Sequence, residues 1–130
     1  MLEFVDTHCH IQFADYKLDP EVVISEALDG GVTRVICVGC SLSDSKQGLE
    51  LAKRHKSIWA SIGIHPHEAK QYVNNQKALQ ELRSLAGKPR VVAIGEIGLD
   101  YFYNYSTPTE QKMLFRYQLN LAHEFNLPVI

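Results

Sequence analysis

Short apolar runs rich in β-branched residues alternate along this chain with segments whose apolar residues recur every three or four positions. Leu2–Asp6, Thr33–Val38, Ile58–Ile62 and Val91–Ile94 are the short runs, and each predicts a strand. Between them the helical patterns carry their own punctuation. Asp19-Pro20-Glu21 reads as N-cap, N1 proline and first-turn acid, with Gly30 as the stop. Asp44 followed by Gln47 resembles a capping box for a helix reaching about His55. A third helix covers Gln76–Ala86, where Ala78, Leu79, Leu82, Leu85 and Ala86 share a face and Gly87 ends it. Thr107-Pro108-Thr109-Glu110 opens a fourth, with an apolar stripe of Leu114, Tyr117, Leu121 and Phe125. Asn126 closes it, and Leu127-Pro128-Val129-Ile130 begins a further strand.

The order is therefore βαβαβαβαβ, and repeated βαβ units imply parallel strands with helices outside them. Such an α/β chain is either a doubly wound sheet or a β/α barrel. A complete TIM (β/α)8 barrel needs eight units in about 250 residues. The expectation is a partial barrel of about four βα units plus the start of a fifth strand. A chain that stops inside a strand leaves an unpaired edge, so truncation at Ile130 is expected as well.

Composition changes this picture little. With 45% hydrophobic and 22% charged residues the chain is an ordinary globular sequence. A net charge of −2 gives no global basic field for nucleic acid. A bound metal ion would supply positive charge locally instead. No apolar run approaches the roughly 20 residues of a membrane span. Glu3 and Asp6 stand where a secretion signal would carry base, so the expected location is cytoplasmic. The 3 cysteines make no disulfide framework. Cys37-Val38-Gly39-Cys40 has a redox-like spacing, yet Cys37 falls in a strand rather than at a helix N-terminus. A packing role suits Cys37, and Cys40 is left on a rim.

The chemistry concentrates where predicted strands end. Asp6-Thr7-His8-Cys9-His10 closes the first strand, and alternation turns His8 and His10 to one side with Cys9 on the other. Two imidazoles so placed suit one divalent ion, and strand C-termini are where barrels keep their chemistry. Chance spacing of two histidines is the competing account. Glu96, just after Val91–Ile94, should emerge at the same rim. An acid that close to a buried strand needs a cation or hydrogen-bond donors. Gly63-Ile64-His65-Pro66-His67 closes the third strand and reads as substrate-facing, or, for His67 above all, as a polar loop stiffened by proline. His55 and His123 read as solvated helix residues.

Asp-Thr-His-Cys-His, Gly-Ile-His-Pro-His and Gly-Glu-Ile-Gly-Leu-Asp-Tyr, in this order, resemble the TatD-type metal-dependent hydrolases. The flanking Glu-Gln and Leu-Pro-Val-Ile segments fit too. The resemblance covers the whole chain, making residues 1–130 the N-terminal half of such a barrel. It implies a divalent-metal hydrolase, a 3′–5′ exodeoxyribonuclease that cleaves DNA phosphodiesters with a metal-activated water. It implies two ions, Mg, Mn or Zn, held about 3.5–4 Å apart. The family's His-x-His pair falls on His8 and His10 and its bridging, catalytic glutamate on Glu96. Asp6 would orient a ligand histidine from behind, and His65, Asp100 and Tyr101 would face the scissile phosphate. The family's later histidines and aspartate lie beyond Ile130. The metal site is therefore expected to be incomplete here, and the chain weakly active or inactive.

Other classes remain in view. A related hydrolase of small esters or amides would share His-x-His but replace Glu96 with another bridging group. A half-barrel could persist as a non-catalytic dimer, since its strands would expose apolar surface. A thiol redox protein would require a low-pKa cysteine at Cys37 or Cys40.

Overall fold

The computed structural model describes residues 2–130. Four parallel strands lie in the order β1-β2-β3-β4: β1 (Phe4–Cys9), β2 (Val32–Val38), β3 (Ile58–Ile62) and β4 (Val91–Ile94). Helices α1 (Pro20–Asp29) and α2 (Leu42–Arg54) carry the chain between the first three strands. A 3-10 turn (Pro66–Glu68), the short α3 (Ala69–Tyr72) and α4 (Gln76–Ala86) lead to β4, and α5 (Pro108–Phe125) follows it. Val129 bridges Ile94 in parallel, the first contact of a fifth strand. The expected α/β architecture, a partial β/α barrel with a fifth strand begun, is the one observed.

Most punctuation works as the residues dictate. Asp19 accepts from the Glu21 N–H ahead of Pro20. Thr107 and Glu110 exchange both bonds of a capping box, and Asn126 closes α5 in the left-handed region at φ 52°. The bounds of β3, α4 and β4 are those the sequence predicts.

Four elements differ, β2 only in starting at Val32 rather than Thr33. β1 spans Phe4–Cys9 rather than Leu2–Asp6, because pairing continues until Cys9 lies beside Cys37 of β2. α2 starts at Leu42 with Ser41 as its cap, not at Asp44. The Ser41 hydroxyl accepts from the Asp44 N–H at 3.1 Å and donates to the Asp44 carboxylate at 2.7 Å, so Asp44 sits inside the first turn. The turn and short helix over 66–72 have no counterpart in the predicted elements. Their start is capped by a histidine, which is not a usual cap.

The core forms two clusters between sheet and helices. Cys37, Leu49, Ile58 and Ala60 anchor the one under α1 and α2. Ile62, Ile94, Leu82, Leu114 and Leu121 anchor the one under α4 and α5. Cys37 is fully buried, in line with a packing role. Arg90 lies over the Trp59 ring at 4.4 Å and donates to the carbonyls of His55 and Lys56 after α2, which ties the strands' N-terminal ends together. Among the described residues no helix is long and apolar enough to cross a membrane.

Candidate metal centre

β1 delivers two imidazoles to one point. The Nε2 atoms of His8 and His10 are 3.2 Å apart, while Cys9 turns the other way, its sulfur 3.9 Å from that of Cys37. The His10 ring has a defined support. The Val38 carbonyl receives His10 Nδ1 at 2.9 Å and the Gln12 amide at 2.8 Å. A carbonyl can only accept, so Nδ1 of His10 carries the ring proton and Nε2 presents a lone pair. Asp6 accepts from the backbone N–H of His8 at 3.0 Å and so braces the strand end rather than a ring.

Glu96 comes from the far side of the sheet. Strands stand about 4.8 Å apart, so a residue after β4 must cross the ends of β3 and β2 to meet β1. The backbone makes that crossing over glycines. A Cβ on Gly63 would lie 2.6 Å from the Gly95 carbonyl carbon, closer than any side chain can sit. With that space open, Gly95 N–H bonds the Ile62 carbonyl at 2.8 Å and Glu96 N–H bonds that of Gly39 at 2.8 Å. Glu96 Oε2 then stands 3.3 Å from His8 Nε2 and 3.9 Å from His10 Nε2.

His8, His10 and Glu96 thus place one ligand atom each within 4.8 Å of one another. Ligands about 2.1 Å from a tetrahedral ion stand about 3.4 Å apart. The edges of this triangle, 3.2, 3.3 and 3.9 Å, bracket that spacing. The donor set, two imidazoles and a carboxylate, suits a divalent ion of borderline hardness.

Beside the triangle lies a cavity of about 470 Å³ lined by Cys40, His65, His67 and Glu96 among others. His65 caps the 3-10 turn, its Nδ1 accepting from the His67 N–H at 3.2 Å. That bond leaves the ring proton on Nε2, which points toward Glu96 Oε1 at 3.7 Å. Burial first, then the neighbouring His67, holds His65 below the ordinary imidazole range, so it stays neutral near pH 7. His67 Nε2 pairs with Asp100 Oδ2 at 2.6 Å. This hydrogen bond, then the N–H groups of Phe102 and Tyr103, holds Asp100 below the usual carboxylate range. Tyr101 is half-exposed on the same rim loop.

Cys40 donates to Glu96 Oε2 at 3.6 Å. Its thiol is pushed up to about 12, mainly by burial and then by the Glu96 charge. A redox thiol needs the opposite shift. Two glutamines of α5 escaped the sequence reading although both are buried. Gln118 exchanges both amide bonds with the backbone of Ile64, at 2.8 and 3.0 Å. Gln111 accepts from Asp100 N–H at 2.8 Å and donates to the carbonyls of Asp100 and Ser106. Their only signal was polar residues on an otherwise apolar helix stripe.

The structure places the chain in the class of parallel β/α proteins with a His-Glu cluster able to hold metal at the strand C-termini. Within that class the chain belongs to the family described as TatD related DNase, whose sequence profile matches residues 5–130. It is 39% identical over 125 residues to the 3′-5′ ssDNA/RNA exonuclease TatD of Shigella flexneri, covering 95% of this chain and 47% of that protein. Over 125 residues it is 38% identical to the protein of the same name from Escherichia coli K12, again covering 95% and 47%. Among solved structures it resembles YJJV, a TatD homologue of Escherichia coli, with TM-score 0.86 and 32% identity, covering 97% of this chain and 49% of that one. A TatD family hydrolase from Entamoeba histolytica superposes with TM-score 0.84 at 27% identity, covering 98% and 48%. The chain spans about half the length of the curated relatives it matches.

Proposed function

We propose that residues 1–130 form the N-terminal part of a β/α-barrel hydrolase that cleaves phosphodiesters of single-stranded nucleic acid, trimming DNA from its 3′ end with two divalent ions. The convergence of His8, His10 and Glu96 in one triangle carries this reading. The names of the curated relatives supply the substrate and the 3′–5′ direction.

In this reading His8 and His10 would hold one ion, and Glu96 would be the shared, catalytic carboxylate. Its Oε2 lies toward the histidines and its Oε1 toward the cavity, so one carboxylate serves two positions. Mg, Mn or Zn held there would supply Lewis acidity toward the phosphoryl group and activation of the attacking water. Asp6 keeps the β1 terminus in place through the His8 N–H. His65, neutral and with its proton on Nε2, donates toward a phosphoryl oxygen entering the cavity. Asp100 fixes the His67 ring beside it, and Tyr101, exposed on the same loop, would meet the substrate from outside.

The test is release of nucleotides from an end-labelled single-stranded oligonucleotide with Mg²⁺ or Mn²⁺, comparing the full chain with Glu96→Ala. We expect the variant to lose at least a hundredfold, the order seen when one electrostatic catalytic group is removed. Equal, measurable rates in both would overturn the assignment of Glu96.

A further inference from the structure

The loop after β4 carries more aromatic surface than its packing uses. Between Asp100 and Ser106 it presents Phe102, 83% exposed, Tyr105, 62%, and Tyr103, 48%. Fixed apolar rings in water favour self-association, so such a patch marks a surface that meets something.

These rings form a ladder. The His65 and His67 rings touch at 4.3 Å, and the Tyr105 ring stands 4.9 Å from His67. Tyr103 stacks on Tyr105 at 5.5 Å with 19° between planes, and Phe102 meets Tyr103 edge-on at 4.9 Å. The ladder starts in the cavity that Glu96 lines and ends in solvent at Phe102.

Its geometry is held at both ends. Asp100 Oδ1 accepts from the N–H groups of Phe102 and Tyr103, at 2.9 and 3.4 Å. Gln111 clamps Asp100 and Ser106 from below, and the Ser106 hydroxyl donates to the His67 carbonyl at 2.8 Å. Lys70 borders the same recess as Tyr105, a cation beside the rings.

We propose that Phe102, Tyr103 and Tyr105 are a stacking platform for the bases of single-stranded nucleic acid whose scissile phosphate lies in the neighbouring cavity. The proposal rests on the nuclease reading above and adds how the strand is recognised. Every base has a π face, so aromatic stacking accepts any sequence, whereas paired and stacked bases in a duplex offer no free face. Lys70 meets the phosphates that run between stacked bases.

Fluorescence anisotropy of the full chain tests this, with Ca²⁺ in place of Mg²⁺. The probes are a labelled oligodeoxythymidylate and an abasic strand bearing the same phosphates. The wild type should bind the thymidylate about tenfold more tightly than the abasic strand, the order of one base–aromatic contact. Phe102→Ala and Tyr103→Ala should erase that difference and leave abasic binding unchanged, while Phe102→Trp keeps it. Melting curves matched to wild type confirm that the variants fold. Equal wild-type affinity for both strands, or an equal loss on both in the variants, overturns the platform and leaves the nuclease reading standing. A wild type that binds neither strand overturns both.

Discussion

Glycine 63 shows how one absent side chain can decide whether a site exists. Glu96 and His8 belong to strands at opposite edges of the four, and the backbone around Gly95 closes that gap by passing directly over Gly63. Adding one methyl there requires backbone to move, since its contact at 2.6 Å is with main chain and not with a flexible tip. Overpacking of this kind costs about 1–3 kcal/mol. The displaced segment is the one that carries Glu96. Gly63→Ala is therefore expected to lower the denaturation midpoint modestly and to weaken divalent-metal binding at least tenfold. Loss of stability with unchanged metal affinity would show that Glu96 reaches the histidines by another route. His10 illustrates the complementary point: a backbone carbonyl, Val38, sets the tautomer that leaves a lone pair facing its neighbour.

Among the elements, α5 does more than cover the sheet. Its apolar stripe packs against Ile62 and Ile94, but Gln118 and Gln111 reach through that stripe to hold the loops after β3 and β4. Gln118→Leu preserves the shape and leaves the Ile64 N–H and carbonyl without partners. An unsatisfied buried group costs about 1–3 kcal/mol, so the pair should destabilise the fold by about 2–6 kcal/mol. Urea denaturation measures this, and a change below about 0.5 kcal/mol would mean water replaces the amide.

The same elements show what was legible in advance. β3, α4 and β4 could be read to the residue because apolar blocks end at unambiguous caps and stops. β1 was placed too early because its second half is Thr7, His8 and Cys9, residues suited to the rim rather than to an apolar strand. The helical turn at 66–72 was invisible because His65, a poor cap by propensity, supplies its ring nitrogen in place of a hydroxyl. The meeting of His8, His10 and Glu96 at one rim followed from alternation and strand ends. The crossing that completes it did not, because sequence does not show which backbones touch.

At the scale of the whole molecule, two core clusters stiffen the sheet from its helix side while the chemistry gathers at the strands' C-terminal ends. The metal-capable triangle draws on β1 and the segment after β4, the first and last strands of the sheet. An ion held there ties those strands together, and any ligand that binds only the folded state raises its stability. The thermal midpoint should therefore rise with added metal in the wild type and stay put in Glu96→Ala.

Calorimetric titration of Mn²⁺ or Zn²⁺ into the chain, beside His8→Ala and Glu96→Ala, tests the central claim most directly. The account predicts binding in the wild type and a loss of at least tenfold in each variant, with circular dichroism unchanged. Equal affinity in all three would contradict it, placing the metal elsewhere and reducing the triangle to a polar rim.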